Sequence, residues 1–597
     1  MTSLTEQYAQ KEHYYESLRQ KETQKANAVA AFRLVTILSL LFGVYHYFNA
    51  QDWVALAIAV GVLGLLFFIL VFYHAHLKEQ EQLFAHLVKI NQDEQAYLQG
   101  DLTPFDAGET FINPEHPYTY DLDMFGATSI YQHLNRTATV FGRATLAEHL
   151  GHPEADDILL RQEAIKELAQ NVDWRQYFQA RGQMFAAKEA NLDRFKDWLA
   201  QPLPMPNRTL LRVLSFVLPA LTVLSLILMV ATDMAWASTA FKGLGILNLL
   251  IVGSQQKIIK AEHQLLTHLS LAFQKYAALL KAIEHEPFAA HKLQQLKQTT
   301  LTEGATASTA MKRLSVILNQ FDSIFNAFAA LVSNGLLQYH IHTLFSLDKW
   351  KQQFGQNVGQ WFYVLGEFES LASVANFAYN HPEFIFPTPN TEGELVMTNV
   401  GHPLISENKR IGNDIRFNDP SFVVLTGSNM SGKSTFLRTL GVNLVLAKMG
   451  APVCATEFRF FPFHVFVSMR VSDSLQNSES FFFAELKRLK RIITELEENQ
   501  KTFVILDEIL RGTNSNDKRA GTIGLIHNLM AHKAVGIIAT HDLMIGDMEK
   551  DFPEYLKNRC FEVEIGENEL HFDYKLKEGV AQKMSAAFLM QKMGIIR

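Results

Sequence analysis

The chain has 597 residues and a hydrophobic content of 48%, which predict several domains with at least one large core and exclude an intrinsically disordered protein. Its 54 Lys and Arg against 61 Asp and Glu give a net charge of −7, which excludes a general electrostatic attraction to nucleic acid and leaves only local contact with it. Two cysteines, Cys454 and Cys560, are too few for a disulfide framework or a cysteine-rich zinc site, and we expect both to be packing residues.

Two apolar segments near the N-terminus predict a membrane hairpin. Residues 53–73, WVALAIAVGVLGLLFFILVFY, carry no charge and are long enough for a helix to cross about 30 Å of hydrocarbon. Residues 34–48 form a shorter apolar run, and the polar connector NAQD at 49–52 is short enough for a turn. We therefore expect residues 1–77 to contain a cytoplasmic helix and a first transmembrane hairpin, which is retained because mixed-charge residues precede it and no cleavage site follows.

A second apolar pair follows at residues 213–232 and 234–252. The first run is uncharged, Asp233 marks the turn, and the second run contains one charge, Lys242. We expect a second transmembrane hairpin here, with the Lys242 segment as the weakest span. The alternative for both pairs is that they are buried helices of a soluble protein, which the three charge-free runs disfavour.

The charges around the two hairpins predict their orientation. Basic residues flank the outer ends of the hairpins, whereas the connecting turns contain Asp52 and Asp233. The flanking basic residues are Arg33, Arg208, Arg212, Lys257 and Lys260. Because positive charge accumulates on the cytoplasmic side, we expect an inner or plasma membrane protein with both termini in the cytoplasm.

The C-terminal third contains a phosphate-binding loop. Residues 427–434, GSNMSGKS, fit G-x-x-x-x-G-K-[ST] between an apolar strand pattern, FVVL, and a helix pattern. In such a loop the backbone N–H groups wrap the phosphates, Lys433 neutralises the β and γ oxygens, and the Ser434 hydroxyl binds Mg²⁺. The predicted nucleotide contacts are Gly427, Ser428, Asn429, Met430, Ser431, Gly432, Lys433, Ser434 and Thr435.

Two further strand ends supply the predicted catalytic groups. TFVILDEIL, residues 502–510, delivers two adjacent carboxylates at the end of an apolar strand. We expect Asp507 to bind the magnesium shell and Glu508 to orient the attacking water, so the pair favours hydrolysis over binding alone. IIATHD, residues 537–542, is a second apolar strand ending in His541, which we predict to sense the γ-phosphate; a lone His at a strand end is otherwise structural.

These motifs in this order resemble the ATPase domain of the MutS family of DNA mismatch repair proteins, a branch of the ABC-type ATPases. LTGSNMSGKSTFLRTLG, LDEILRGTNSND and ATHD carry the resemblance, together with HP at 402–403 and NDI at 413–415. Upstream, residues 121–150 and 369–378 are similar to the start and last helix of the family's helical core. The resemblance implies ATP and Mg²⁺ as cofactors, a homodimer in which Ser480 completes the partner's site, and possible DNA binding.

The sequence departs from the family in three places. No Phe-x-Glu tripeptide occurs before residue 250, and an apolar hairpin occupies that region, so we expect the mismatch-recognition domain to be absent. In the signature element, the family's glycine and Ser-Thr positions read Ser478, Glu479, Ser480 and Phe481, so only Ser480 carries over. The position of the adenine-stacking aromatic holds Arg410 or Ile411.

The predicted architecture is multidomain, α plus α/β. It consists of the first hairpin region (1–77), an all-α core and lever region containing the second hairpin (78–385), and a P-loop α/β ATPase domain (386–597). The predicted function is ATP binding and hydrolysis coupled to opening and closing of a homodimer. The alternatives are a membrane-tethered DNA repair or recombination factor, for which the mildly basic segment 254–313 offers phosphate contacts, and a transporter, which the few polar groups within the spans disfavour.

Overall fold

The structure is a computed structural model of the chain. It describes residues 3–184, 192–232, 234–266, 269–302, 304–322, 327–428, 430–470, 481–498, 501–565, 570–582 and 595. Asn429, Ser478, Glu479 and Ser480 therefore lie outside the described residues, as does Asp233.

The N-terminal region is one long helical hairpin. Helix α1 (Leu4–Asn49) begins at a capping box formed by Ser3 and Glu6, and helix α2 (Trp53–Leu98) begins at Asp52, whose side chain accepts from the backbone N–H of Ala55. Each helix has 46 residues, about 69 Å at 1.5 Å per residue and about twice the hydrocarbon thickness. The predicted apolar runs 34–48 and 53–73 occupy the half of the hairpin next to its turn, and α2 continues without a break across residue 77.

The rest of the N-terminal two thirds is helical apart from a small antiparallel β pair, β1 (Leu301–Thr302) and β2 (Ala305–Thr306). The second predicted hairpin is present as α8 and α9, which pack against each other. The helices are α3 (Ile130–Leu134), α4 (Val140–Gly151), α5 (Ile158–Gln170), α6 (Val172–Gln183), α7 (Leu192–Ala200), α8 (Arg208–Ala231), α9 (Ala235–Ser254), α10 (Gln256–Leu266), α11 (Ser270–His285), α12 (His291–Gln298), α13 (Ala307–Asp322), α14 (Ala327–Leu337), α15 (Tyr339–Phe354) and α16 (Val358–Asn380).

Among the described residues, four helices are long and apolar enough to cross a membrane by length and composition: α1, α2, α8 and α9. Their apolar side chains are largely exposed, with Phe42, Val54 and Val230 between 69% and 78% accessible. Helix α14 is also apolar but shorter.

A buried ionic network joins the first hairpin to the helical core. Glu94 on α2 is 2% exposed and accepts from Arg136 Nε at 2.5 Å. The same carboxylate accepts from the side-chain amides of Asn376 and Asn380 on α16 at 3.0 and 2.8 Å, and Tyr8 on α1 donates to Asn380 at 2.7 Å. Because a buried carboxylate is stable only when its oxygens are paired, this network fixes the base of the hairpin on the core.

The C-terminal region is an α/β domain with two sheets. The larger has the strand order β12-β11-β6-β10-β9-β8, parallel except for the antiparallel pair β11 and β12; the smaller has the order β3-β7-β4-β5. The elements are β3 (Thr388–Pro389), β4 (Leu395–Val400), β5 (Asn413–Phe417), β6 (Phe422–Gly427), α17 (Lys433–Lys448), β7 (Glu457–Phe460), β8 (His464–Ser468), α18 (Phe481–Glu497), β9 (Thr502–Asp507), α19 (Ser515–Ala531), β10 (Val535–Thr540), α20 (Met548–Asp551), β11 (Leu556–Ile565) and β12 (Leu570–Glu578).

Both faces of the larger sheet are covered, which explains its continuous apolar strands. Val423 and Ile505 face the core that contains α17, whereas Val424 and Leu506 face the core formed with α18 and α19. In the parallel register Ala539 lies opposite Asp507 and Thr540 opposite Thr426. The carboxyl ends of β6, β9 and β10 therefore meet at one edge, where α/β sheets place their ligands.

Candidate nucleotide site

The phosphate-binding loop runs from the end of β6 to the start of α17. Two of its described residues have left-handed backbone conformations, Met430 with φ 69° and Gly432 with φ 96°. A Cβ on Gly432 would lie 3.0 Å from the Tyr574 ring, so both the conformation and the space require glycine there. The loop thus has the tight backbone predicted from its glycines, with Asn429 outside the described residues.

Lys433 is held inside this loop. Its side chain is buried, and Nζ donates to the carbonyl oxygens of Gly427 and Ser428, both at 2.8 Å. Burial lowers the pKa of Lys433 below that of an ordinary lysine, although the Glu508 and Asp507 carboxylates act in the opposite direction. The ammonium group therefore lies inside the loop with backbone carbonyls as its partners.

Ser434 and Asp507 meet as the sequence predicts for a magnesium site. Ser434 Oγ donates to Asp507 Oδ2 at 2.6 Å, while Asp507 Oδ1 is buried and has no hydrogen-bond partner. Burial raises the pKa of the Asp507 carboxyl, and the neighbouring Glu508 adds to the effect. A hydroxyl and a carboxylate with one free oxygen are hard donors that suit Mg²⁺, so the residues present fit this ion.

Glu508 and His541 form a close pair at the neighbouring strand ends. Glu508 has φ 48°, a conformation that is uncommon for residues other than glycine, and its N–H donates to Ala539 O at 3.0 Å. His541 Nδ1 lies 3.0 Å from Gly427 O, and Nε2 is in contact with the Glu508 carboxylate. His541 lowers the pKa of Glu508 to about 2, against the opposing effect of burial. Glu508 is therefore an ionised group next to the phosphate loop.

Glu485 holds the turn that follows Glu508 and was not identified from the sequence. It is 3% exposed, and its two carboxylate oxygens accept from the backbone N–H groups of Leu510 at 2.6 Å and Arg511 at 3.2 Å. Leu510 is itself left-handed, with φ 60°. Within helix α18 the residue is one of several charged positions, and only the tertiary fold distinguishes it.

A cavity of about 450 Å³ extends from the phosphate loop toward β4, β5 and β12. Arg410 and Ile411, at the predicted base-stacking position, both line it. The sequence did not point to Tyr574, which also lines the cavity, is 44% exposed and packs against Gly432. Asn413 fixes this part of β12, because its side chain donates to Tyr574 O at 3.0 Å and accepts from Leu576 N at 2.8 Å. Tyr574 therefore presents a partly exposed aromatic ring to the cavity.

The signature element containing Ser480 lies outside the described residues, but both of its flanks are fixed to the helical core. On one side, the N–H groups of Met469 and Arg470 donate to Asp121 Oδ1 at 2.8 and 2.6 Å. On the other, Arg488 on α18 donates to Asp121 Oδ2 at 2.5 Å. Asp121 is fully buried, so it connects the two flanks through one carboxylate.

Comparison with known proteins supports the interpretation of this domain. Residues 423–594 match the family model described as MutS domain V. The DNA mismatch repair protein MutS of Thermotoga petrophila is 31% identical over 225 residues, 37% of this chain and 28% of that protein. MutS protein homolog 4 of Homo sapiens is 28% identical over 225 residues, 36% of this chain and 24% of that protein. The match spans about a quarter of each relative, and the similarity to the MutS family lies in the C-terminal domain, where residues 423–594 match MutS domain V.

Proposed function

We propose that this chain is a membrane-anchored MutS-type ATPase. It binds ATP and Mg²⁺ in the cavity of its domain V and hydrolyses the bond between the β- and γ-phosphates of ATP. The observation that carries the proposal is the alignment of three groups at one sheet edge. Ser434 is paired with one oxygen of Asp507, the other Asp507 oxygen is buried without a partner, and an ionised Glu508 follows directly.

Each residue of the site has a separate role in the proposed ATP hydrolysis. The loop backbone and the Lys433 ammonium bind the phosphates, and Ser434 with Asp507 would hold Mg²⁺. When bound, the ion supplies positive charge to the phosphate oxygens. Glu508 orients and polarises the attacking water as a carboxylate, and His541, in contact with both Gly427 and Glu508, keeps that carboxylate next to the loop.

Phosphate release by the purified full chain in detergent tests this proposal. We expect release from ATP in Mg²⁺ and none in excess EDTA. ATP binding without any phosphate release under conditions that support other MutS-type ATPases would overturn the hydrolytic function.

The exposed apolar helices support the membrane anchor. In water, continuous apolar surface of this extent is unfavourable, whereas in a bilayer it is solvated by lipid. Lys242, the one charge in the predicted spans, is exposed on α9, and a lysine stem can lie along apolar surface while its amine extends toward the interface. Cell fractionation tests this part: the protein should remain with membranes in high salt and leave them only in detergent, and recovery in the soluble fraction would contradict it.

A homodimer is the proposed assembly, with Ser480 of one subunit contacting the γ-phosphate bound by the other. Confinement to a membrane raises the effective concentration of subunits, so a weak ATP-dependent interface is sufficient. The fixed flanks of the signature element support the idea that nucleotide-driven changes there reach the helical core through Asp121.

DNA binding is the second candidate, supported by the names of the relatives as DNA mismatch repair proteins. The basic segment 254–313 supports it only in part. Lys275 Nζ is bonded to Ala138 O and Lys297 Nζ to Glu286 O, so these two amines serve the fold. The exposed basic residues of the segment are Lys257, Lys260, Lys281, Lys312 and Arg313. Binding to duplex DNA at two salt concentrations tests this candidate, since phosphate contacts weaken steeply with salt.

A further inference from the structure

Helix α14 is a third apolar element beside the second hairpin, and the surrounding residues 323–347 contain no Asp, Glu, Lys or Arg. We propose that α14 and the start of α15 form a re-entrant membrane segment, which enters the bilayer beside α8 and α9, contacts lipid acyl chains and returns to the same side. The inference rests on the proposed membrane anchor and adds an interaction surface that the four long helices do not include.

Buried amides attach α14 to the hairpin. Asn248 on α9 donates to Thr222 Oγ1 on α8 at 3.0 Å and to Gly335 O on α14 at 2.8 Å, and it accepts from Gln338 Nε2 at 2.8 Å. Asn248, Thr222 and Gln338 are all fully buried. In an apolar environment such bonds hold helices together, because separating them leaves polar groups unpaired. The three helices therefore form one unit.

Helix α14 also exposes large apolar side chains. Phe328 is 76% exposed, and Leu331, Val332 and Leu337 are between 43% and 55% exposed. At the level where Gly335 packs near Leu249, helix α9 also presents exposed apolar side chains, Ile246 and Leu250. The apolar surface of the hairpin thus continues onto α14, which argues for the same lipid environment on both.

Helix α14 is too short to cross the bilayer, so the chain must return to the side from which it enters. Eleven residues span about 16 Å, roughly half of the hydrocarbon thickness. The chain approaches from α13, whose Phe321 lies in the main core, and it leaves along α15, whose Trp350 lies in the same core. The helices before and after α14 therefore both pack into the helical core.

Helix α15 returns along the first half of α8 to a charged boundary. His342 Nε2 lies 2.8 Å from Ser215 O, the Arg212 guanidinium lies 5.5 Å from the centre of the Phe345 ring, and Arg208 forms an ion pair with Asp348. The first charges of the two helices thus meet at one level, as expected at the cytoplasmic surface of a membrane.

The turn between α14 and α15 satisfies its own backbone, as a non-helical turn at membrane depth must. Gln338 N–H donates to Asn334 O at 3.1 Å, and His340 N–H donates to Asn334 Oδ1 at 3.1 Å. Asn334, Gln338 and His340 are buried within the protein. Lipid therefore contacts only the apolar outer face.

Spin labels at single cysteines in bilayer nanodiscs test the proposal, in a background with Cys454→Ala and Cys560→Ala that retains ATP turnover. Phe328→Cys and Leu331→Cys report on α14, and two sites keep the test valid when one variant misfolds. Leu250→Cys on α9 is the membrane reference, and Leu159→Cys, exposed on α5 of the helical core, is the aqueous reference. The readout is the ratio of collisions with oxygen to collisions with a water-soluble nickel chelate.

The expected ratio at both α14 sites is as high as at Leu250→Cys and far above that at Leu159→Cys. A low ratio at α14 with a high ratio at Leu250→Cys would overturn the re-entrant segment and leave the hairpin in the membrane. Exclusion of both reagents at α14 would also overturn it, because the face would then be covered by protein such as a second copy. Low ratios at all sites would instead contradict the membrane anchor itself.

Discussion

Both terminal nitrogens of the Arg470 guanidinium donate to the carboxylate of Asp123, at 2.6 and 3.0 Å. Arg438 on α17, the helix that begins in the phosphate loop, lies 3.3 Å from the same carboxylate. Asp123 belongs to the helical core, and Arg470 immediately precedes the segment that contains Ser480. One core carboxylate thus contacts the helix of the nucleotide site and the flank of the signature element.

This arrangement predicts that Asp123→Asn lowers the rate of ATP turnover without weakening ATP binding. The variant keeps the left-handed backbone at residue 123, where φ is 52°, because asparagine tolerates it. It weakens both ion pairs, so we expect the ATP dissociation constant to change little and kcat to fall by about tenfold. The matched control is Asp101→Asn, an exposed carboxylate whose hydrogen bonds are to the neighbouring Thr103. Equal kcat in the two variants would show that the Asp123 contacts do not affect the site.

Glu485→Gln tests the position of Glu508. An amide oxygen replaces two carboxylate acceptors, so the N–H groups of Leu510 and Arg511 lose part of their pairing and the turn after Glu508 shifts. We expect kcat to fall by roughly 10- to 100-fold with ATP affinity retained, because small displacements of a positioned group are costly in rate. Glu495→Gln on the same helix should leave kcat unchanged, and loss of ATP binding in Glu485→Gln would point to a structural role only.

The lowered pKa of Lys433 predicts alkaline loss of ATP affinity. The ammonium form binds phosphate, and its pKa in the folded protein lies below the ordinary lysine value of about 10.4. The charge is complete at lower pH and is lost as pH rises through the lowered pKa, so affinity should fall at a pH where an ordinary lysine is still charged. Titration calorimetry of wild type and Lys433→Arg checks this: the arginine variant should show a flat profile, and parallel profiles would assign the loss to another group.

Completion of the site in trans can be tested by mixing inactive subunits. If Ser480 acts on the nucleotide bound by the partner, a dimer of Lys433→Ala with Ser480→Arg contains one site that is wild type in both halves. We expect partial recovery of turnover in the mixture. No recovery, although mixed dimers form, would indicate a site within one chain or an obligatory coupling of both sites. A dimer of wild type with the double mutant distinguishes these, since it loses activity only under trans completion.

The local parts of the nucleotide site could be predicted from the sequence. The loop between β6 and α17 and the carboxylates at the end of β9 lie within single strand-turn-helix or strand-end patterns. Parallel pairing of the strands brings Gly427, Asp507 and His541 to one edge. Tyr574 and Glu485 could not be predicted in the same way. Tyr574 reaches the loop through the pairing of β12 with β11, and Glu485 becomes distinct only when α18 packs on the turn after Glu508.

In the helical region too, features that depend on tertiary packing could not be predicted from the sequence. The apolar runs predicted the two hairpins, but the polar half of the first hairpin carried no apolar signal, so helix α2 extends beyond the expected boundary at residue 77. Its packing depends on Glu94, which pairs with residues distant in sequence. Helix α14 was missed because it is shorter than a membrane span. Whether the long helices cross a bilayer, and whether His541 senses the γ-phosphate, remain predictions.

Comparison of Glu508→Gln with Lys433→Ala tests the central claim, ATP hydrolysis at this site, most directly. Both variants are measured in nanodiscs for ATP binding and for single-turnover hydrolysis in Mg²⁺. The account predicts that Lys433→Ala loses ATP binding, whereas Glu508→Gln retains it and hydrolyses more slowly by roughly 100- to 1,000-fold, because the phosphate cradle remains and the group that orients water is removed. Equal loss of binding in both variants, or wild-type hydrolysis by Glu508→Gln, would contradict it.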